Sequence, residues 1–477
     1  MEGDIMNLMF AGSEATPFCK TGGLADVLGS LPYELAKRGH NVMLVLPNHQ
    51  VVKQKFASKV KHLGQQTIKM HEKEAYVGFQ MLKHDGVTVY FIDNEYYFGN
   101  RENLYGDFDD GERYGYFSRA IVSLINHLGK SIDVLHLNDW QTGMVPYIIK
   151  HHTSNKIRSI KTLFTIHNIA YQGQFAKDLF PYLDVPYSPD IEYDDMINFL
   201  KTGISTATHL STVSKSYAQE LQYAYFGYGM ETILTTRQND FDGILNGIDY
   251  HYFSPKDDQS IDTKYSLRNY IKGKANNKTA LQTMFQLPKK DVPIYGIVTR
   301  LTDQKGLNLL SDIIEPYLEN DAMQLIVLGS GDQDLELFFE YLRHKFSHNV
   351  GIYIGYSDRI ARYIYAGSDF FIMPSKYEPC GLSQLISLAY GTLPIVRKTG
   401  GLKDSIAPFN KFTKEGNGFS FQNFDTYDLK HAIDESLEVY HDEKTFKLLR
   451  RRAMNEDFSW TKSADQYELL YKKIISK

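Results

Sequence analysis

At 477 residues the chain exceeds what one hydrophobic core organises, so two domains are expected, and 43% hydrophobic with 23% charged residues is a globular balance that leaves no long tract for disorder. A formal charge of −5 argues against general affinity for nucleic acid or an anionic membrane and leaves only site-specific binding of phosphate. The two cysteines, Cys19 and Cys380, exclude a disulfide framework; with no apolar run of membrane-spanning length and no signal peptide in MEGDIMNLMF, the cytoplasm is the expected location.

Asn7–Ala11 reads as a short buried strand, followed by a glycine-containing loop, a helix through Val27, Leu28, Leu31 and Leu35, and a strand at Asn41–Leu46, together a βαβ unit. Strands at Val87–Ile92, Val134–Leu137, Thr162–Ile166 and His209–Val213 continue the alternation and predict a mostly parallel sheet covered by helices. After a polar stretch around Pro255–Lys278 the rhythm restarts: strand Pro293–Thr299, helix Leu307–Leu318, then strands Gln324–Leu328, Gly351–Ile354, Phe370–Met373 and Leu393–Val396. The expectation is an α/β protein with a first domain over 1–254, a second over 255–457, and a helix within 458–477 that packs back on the first.

Ligands of parallel α/β domains bind beyond the carboxyl ends of the strands, so the loops there carry the interest. KTGGLAD from Lys20 and KTGGLKD from Lys398 both follow a strand, yet no other heptad matches between the halves, so duplication is not required. Gly22 and Gly23 either make only a tight strand-to-helix turn or let backbone N–H groups approach an anion beside Lys20. A GxxxxGK[ST] loop is absent, and Gly329-Ser-Gly331 opens a GxGxxG string that ends in Asp334. Arg300 and Lys305 share one loop after a strand, as a diphosphate clamp or as two solvated cations. Glu378, between Tyr377 and Pro379, is a rigidly set carboxylate suited to sugar hydroxyls or a cationic transition state, or else a helix-start acid. Asp139, His167 and Asn168 follow two further strands and make a polar site, against the plainer reading of a structural histidine.

KTGGLADV, TIHNIAYQG, ILNGID, RLTDQKG, EPCGLSQL and TGGLKD, in this order over essentially the whole chain, resemble the bacterial glycogen synthase and plant starch synthase family, glycosyltransferase family 5. The resemblance implies the GT-B fold, two facing Rossmann-like parallel-sheet domains with an interdomain cleft. It also implies retaining transfer of glucose from ADP-glucose to the non-reducing end of an α-1,4-glucan. Glu378, His167, Lys305 and Arg300 are then the catalytic set, with Lys20 and Gly23 on the donor and Asp139, Asn168 and Asn246 lining the sugar site. Gly355 and Tyr356 face the adenine, while Cys380, Gly381, Leu382 and Ser383 border the donor sugar and phosphates. Thr399, Gly400 and Gly401 approach the donor through backbone, leaving Lys398 solvated.

The resemblance further implies no metal and no cofactor, ADP-glucose being a substrate, and partners limited to ADP-glucose and glycogen; oligomeric state stays open. It favours same-face attack by the acceptor, helped by the His167 carbonyl, and nominates no protein nucleophile. Neither cysteine has an activating histidine nearby in sequence, so a thiol nucleophile is not expected. Ile386 stands where many retaining GT-B enzymes carry a second glutamate, and Ser383 replaces a threonine. The DxD strings at Asp107–Asp109, Asp240–Asp242 and Asp332–Asp334 are discounted as metal sites, because 57 acidic residues produce them cheaply. The competing readings are a UDP-sugar-dependent GT-B transferase and a catalytically silent glucan-binding scaffold; joint retention of Lys20, Arg300, Lys305 and Glu378 weighs against silence.

Overall fold

Alternating strands and helices organise residues 5–477, which the computed structural model describes, into two units. The first runs to Gly247 and resumes at Trp460–Lys477; the second is Ile248–Ser459. The division differs from the sequence boundaries at 254/255 and 457/458 because the two crossing segments pair with each other. Ile248 N donates to Phe458 O at 2.8 Å, and Ile248 bridges Ser459 in parallel.

The first unit holds a nine-stranded sheet in the order Phe241–Gly243, His209–Thr212, Lys161–Ile166, Val134–Asn138, Asn7–Ala11, Asn41–Pro47, Val87–Asp93, Lys73–His84, Lys61–Met70. Its central strands are buried almost throughout, as expected of parallel strands covered on both faces. The last two strands form an antiparallel hairpin that the sequence did not disclose. Lys61–Met70 is the edge, largely exposed and rich in lysine and glutamine, so it lacks the apolar run of its neighbours. A small antiparallel sheet, Gln174–Phe175, Met196–Asn198 and Glu192–Tyr193, lies beside the large one in sequence.

Both predicted long helices are broken. The first splits into Gly23–Leu28 and Leu31–Lys37, the second of which carries Pro32 in its opening turn. Leu307–Leu318 splits into Asn308–Ser311 and Ile314–Glu319, with Pro316 near the start of the latter. Proline has no N–H to continue a helix from the preceding turn, so each proline belongs at a start.

The final helix, Trp460–Ile475, buries Trp460, Ala464, Tyr467, Leu470, Tyr471 and Ile474 in one core cluster with Phe10, Leu35 and Leu44 of the first unit. Tyr471 Oη lies 2.8 Å from His136 Nδ1, and His136 Nε2 lies 2.6 Å from Thr165 Oγ1. Burial holds the His136 pKa well below the usual histidine range, so the ring is neutral and one hydroxyl serves each nitrogen. Tyr471→Phe strips one buried nitrogen of its partner and is expected to cost about 1–3 kcal/mol in a denaturant melt.

The second unit has a six-stranded parallel sheet in the order Val350–Ile354, Gln324–Gly329, Ile294–Val298, Phe370–Met373, Leu393–Arg397, Phe419–Phe421. Each sheet reverses its strand order near the middle. In the first, the reversal lies between Asn7–Ala11 and Val134–Asn138; in the second, between Ile294–Val298 and Phe370–Met373. Loops leaving two such strands diverge and open a crevice at their carboxyl ends.

Candidate functional site

In the first unit, the loops at the reversal carry Glu14, Lys20 and Asp139, Asn138 ends the strand Val134–Asn138, and the adjacent strand Lys161–Ile166 leads into His167 and Asn168. Asp139 adopts a left-handed φ of 56° and its Oδ1 accepts from His167 N at 2.7 Å. Burial pushes the Asp139 carboxyl up to about 7, outweighing the backbone N–H groups of His167 and Asn168 that lower it; the nearby Glu14 charge adds to the rise. Asn138 Nδ2 donates to Ala11 O at 3.0 Å, which orients its Oδ1 to accept from His167 Nε2 at 2.9 Å. Burial lowers His167 to about 3, so the imidazole is neutral and acts through hydrogen bonds rather than as an acid.

The raised Asp139 carboxyl has a consequence for stability. Between about pH 4 and pH 7 the folded state holds this proton more tightly than the unfolded chain, so the Asp139 contribution falls as pH rises through that window and is level above it. Asp139→Asn is expected to flatten that part of the stability profile, as read by urea unfolding at a series of pH values.

Lys20 Nζ donates to both oxygens of Asp26 at 2.7 and 2.8 Å. Glu14 accepts from the backbone N–H of Thr21, from Thr21 Oγ1 at 2.8 Å and from Gly22 N at 3.2 Å. Thr21 Oγ1 is also hydrogen-bonded to Tyr105 Oη. Gly23 begins its helix in open space, so no close backbone approach demands a glycine there. Asn246 is buried, and its Oδ1 has no hydrogen-bond partner among the described residues.

In the second unit, Arg300 is exposed at the end of Ile294–Val298, and Lys305 closes the turn Asp303–Lys305. Lys305 Nζ donates to Glu378 Oε2 at 2.7 Å, and Ser375 Oγ donates to the same oxygen at 3.0 Å. Lys376 N donates to Gln304 O at 2.9 Å, so the two strand-end loops are bonded across the reversal. Gly400 and Gly401 lie directly behind Glu378: an added Cβ would sit 2.0 Å from Glu378 O at Gly400 and 2.0 Å from Cys380 O at Gly401. Gly401 N donates to Glu378 O at 3.0 Å, and Thr399 is fully buried. Thr399–Gly401 therefore braces the Glu378 loop, and the Gly401 N–H is spent there rather than presented to a ligand.

The remaining expected residues fall nearby or elsewhere in the second unit. Ser383 opens the helix Ser383–Ala389 and hydrogen-bonds the Tyr365 hydroxyl; Gly381 has φ 72° and Leu382 is partly buried. Gly355 has φ 130° and its N–H meets Gly329 O at 2.9 Å, while the following Tyr356 is 77% exposed. Ile386 is buried in the core. Both thiols are buried, and burial pushes Cys19 up to about 12, which leaves no reactive thiolate there. Five of the six DxD carboxylates are engaged internally: Asp107 with Arg113, Asp109 with Arg101, Asp242 with His209 and Lys473, Asp240 with Lys477, and Asp332 with Asp303 N; Asp334 is exposed.

Glu14, Asn138 and Ser375 were not singled out in the sequence. Each lies just past or at the end of a strand flanking a reversal, which is the signal that finds them. The two poles are chemically distinct. The first pairs Lys20 with Asp26 and adds the Asp139 carboxyl and a neutral histidine, a set suited to hydroxyl groups; the second carries Arg300 and Lys305, suited to phosphate.

Residues 7–236 match the family described as starch synthase catalytic domain, and residues 281–453 match glycosyl transferases group 1. The sequence is 46% identical to the glycogen synthase of Exiguobacterium sibiricum, over 98% of this chain and 99% of that one. It is 43% identical to the glycogen synthase of Clostridium novyi, over 99% and 100%. The catalytic domain of starch synthase IV from Arabidopsis thaliana, bound to ADP and acarbose, superposes with a TM-score of 0.90 at 32% identity, over 99% of this chain and 100% of that one. Sucrose-phosphate synthase from Thermosynechococcus elongatus, with a TM-score of 0.61 at 16% identity, shares the fold alone. On full-length identity to the glycogen synthases and the starch synthase likeness in structure, the chain belongs to the glycogen synthase and starch synthase family of glycosyltransferases, with the GT-B fold.

Proposed function

We propose that the enzyme moves glucose from ADP-glucose to the non-reducing end of an α-1,4-glucan with retention of configuration, in the cytoplasm and without a metal. The observation that carries the reading is Lys305 paired with Glu378 beside Arg300 at the strand reversal of the second unit, in a chain of this family. The starch synthase IV structure was bound to ADP, which supports adenine as the donor base, with Tyr356 as the ring that faces it.

As the bond between the anomeric carbon and the diphosphate oxygen breaks, its electron pair leaves with the diphosphate. Arg300 and Lys305 stabilise that charge, and Glu378 with the His167 main-chain carbonyl stabilises the positive charge left on the sugar. The acceptor 4-hydroxyl attacks from the same face, and its proton passes to the departing phosphate oxygen. The neutral His167 ring, with Nε2 held by Asn138, orients sugar hydroxyls and gives up no proton. Asp139, Asn168, Asn246, Lys20 and the Cys380–Ser383 stretch complete the donor contacts in this reading.

The test incubates the protein with glycogen and either ADP-glucose or UDP-glucose, and measures nucleotide release and chain extension. ADP release with extension is expected. Preference for UDP-glucose would overturn the donor assignment, and extension through a trapped glucosyl ester on a side chain would overturn same-face attack.

A further inference from the structure

We propose that Glu14 is a positioning residue for donor transfer, holding the Lys20-Thr21-Gly22 turn by its carboxylate and so setting where the Lys20 ammonium stands. The proposal rests on the reading of Lys20 as a donor contact. Glu14 is 2% exposed. A carboxylate in that setting is costly, and burial raises its pKa accordingly. Its compensation comes from one place: Thr21 N, Thr21 Oγ1 and Gly22 N.

The Thr21 N–H belongs to the peptide unit that begins at the Lys20 carbonyl. Fixing that plane fixes the backbone torsion from which the Lys20 side chain departs, and the Gly22 N–H fixes the next plane. Asp26 then receives the Lys20 Nζ from the far side of the turn, at 2.7 and 2.8 Å. Glu14 leaves the end of a central strand, Asn7–Ala11, so the turn is referenced to the rigid sheet rather than to another loop. All three donors meet the same oxygen, Oε2, so a neutral amide keeps an acceptor there but loses the charge that strengthens each bond and sets an N–H₂ group where Oε1 stands.

Kinetics of Glu14→Gln, Lys20→Ala and the double variant separate the possibilities. Glu14→Gln is expected to lower kcat/KM for ADP-glucose about 10- to 100-fold, the scale of a misplacement near 1 Å, with KM for glycogen unchanged. On the Lys20→Ala background the same change is expected to have no further effect on donor kinetics, which a general loss of structure would not reproduce. Thr21→Ala, at an exposed position, is a second probe; it removes one of the donors to Glu14 and is expected to give a smaller effect that also vanishes without Lys20. Additive losses, or an unimpaired Glu14→Gln beside an impaired Lys20→Ala, would overturn the proposal alone. Unimpaired Lys20→Ala would overturn the reading of Lys20 and the proposal with it.

Discussion

Lys305→Ala is expected to lower kcat/KM for ADP-glucose about 10²- to 10³-fold, with little change in glycogen affinity, because in the proposed reaction a preorganised cation is removed from the departing diphosphate. The same substitution strands Glu378, whose carboxylate is nearly buried and keeps only the Ser375 hydroxyl among its two donors at Oε2. Breaking one side of such a pair costs about 3–5 kcal/mol, so a lower melting temperature should accompany the kinetic loss. The two effects can be parted. Lys305→Ala combined with Glu378→Gln removes the stranded charge and should recover much of the stability, while turnover stays low. Recovery of turnover together with stability would assign Lys305 to structure alone, and equal losses of donor use and glycogen binding would contradict the phosphate role.

The second large effect is expected at Gly401. A Cβ there would stand 2.0 Å from Cys380 O, a separation that real contacts do not reach, and the obstacle is main chain that cannot rotate away. Gly401→Ala must therefore push the Glu378–Cys380 loop outward, lengthening the 3.0 Å bond from Gly401 N to Glu378 O. A displacement near 1 Å at the carboxylate proposed to be catalytic is expected to cost about 10²-fold in kcat, with a stability loss typical of overpacking, about 1–3 kcal/mol. Gly23→Ala is the contrasting case. That position meets nothing within 4 Å, so melting should be unchanged or slightly raised. Similar losses of stability at both glycines would remove the distinction between the two KTGGL strings.

That distinction was only half legible in the sequence. Identical letters after a strand marked both loops as strand-end turns, but Gly23 and Gly401 differ in what lies behind them, and no spacing rule reports a carbonyl brought in from position 380. The strands that were predicted lie within a residue or two of those observed, because parallel strands buried on both faces are short apolar runs; the three-residue edge strands Phe241–Gly243 and Phe419–Phe421 were too short to be read. The edge hairpin Lys61–Met70 and Lys73–His84 escaped because an exposed strand has no such run. Helix breaks escaped because apolar periodicity continues across Ser30 and Ile313 even where proline forces a new start. At the candidate site, cations and carboxylates could be picked out as residue types. Pairing Lys305 with Glu378 required knowing which strands are neighbours, and pairing Glu14 with the turn after Lys20 required the path of a single loop.

The final helix imposes an order on assembly during synthesis. The core of the first unit includes Trp460, Tyr467, Tyr471 and Ile474, and the buried His136 takes its partner from Tyr471. A ribosome delivering the chain from its amino end has therefore released every residue of the second unit before the first can close its core. The second unit, continuous over Ile248–Ser459, is complete earlier, so the unit begun second is the one able to finish folding first.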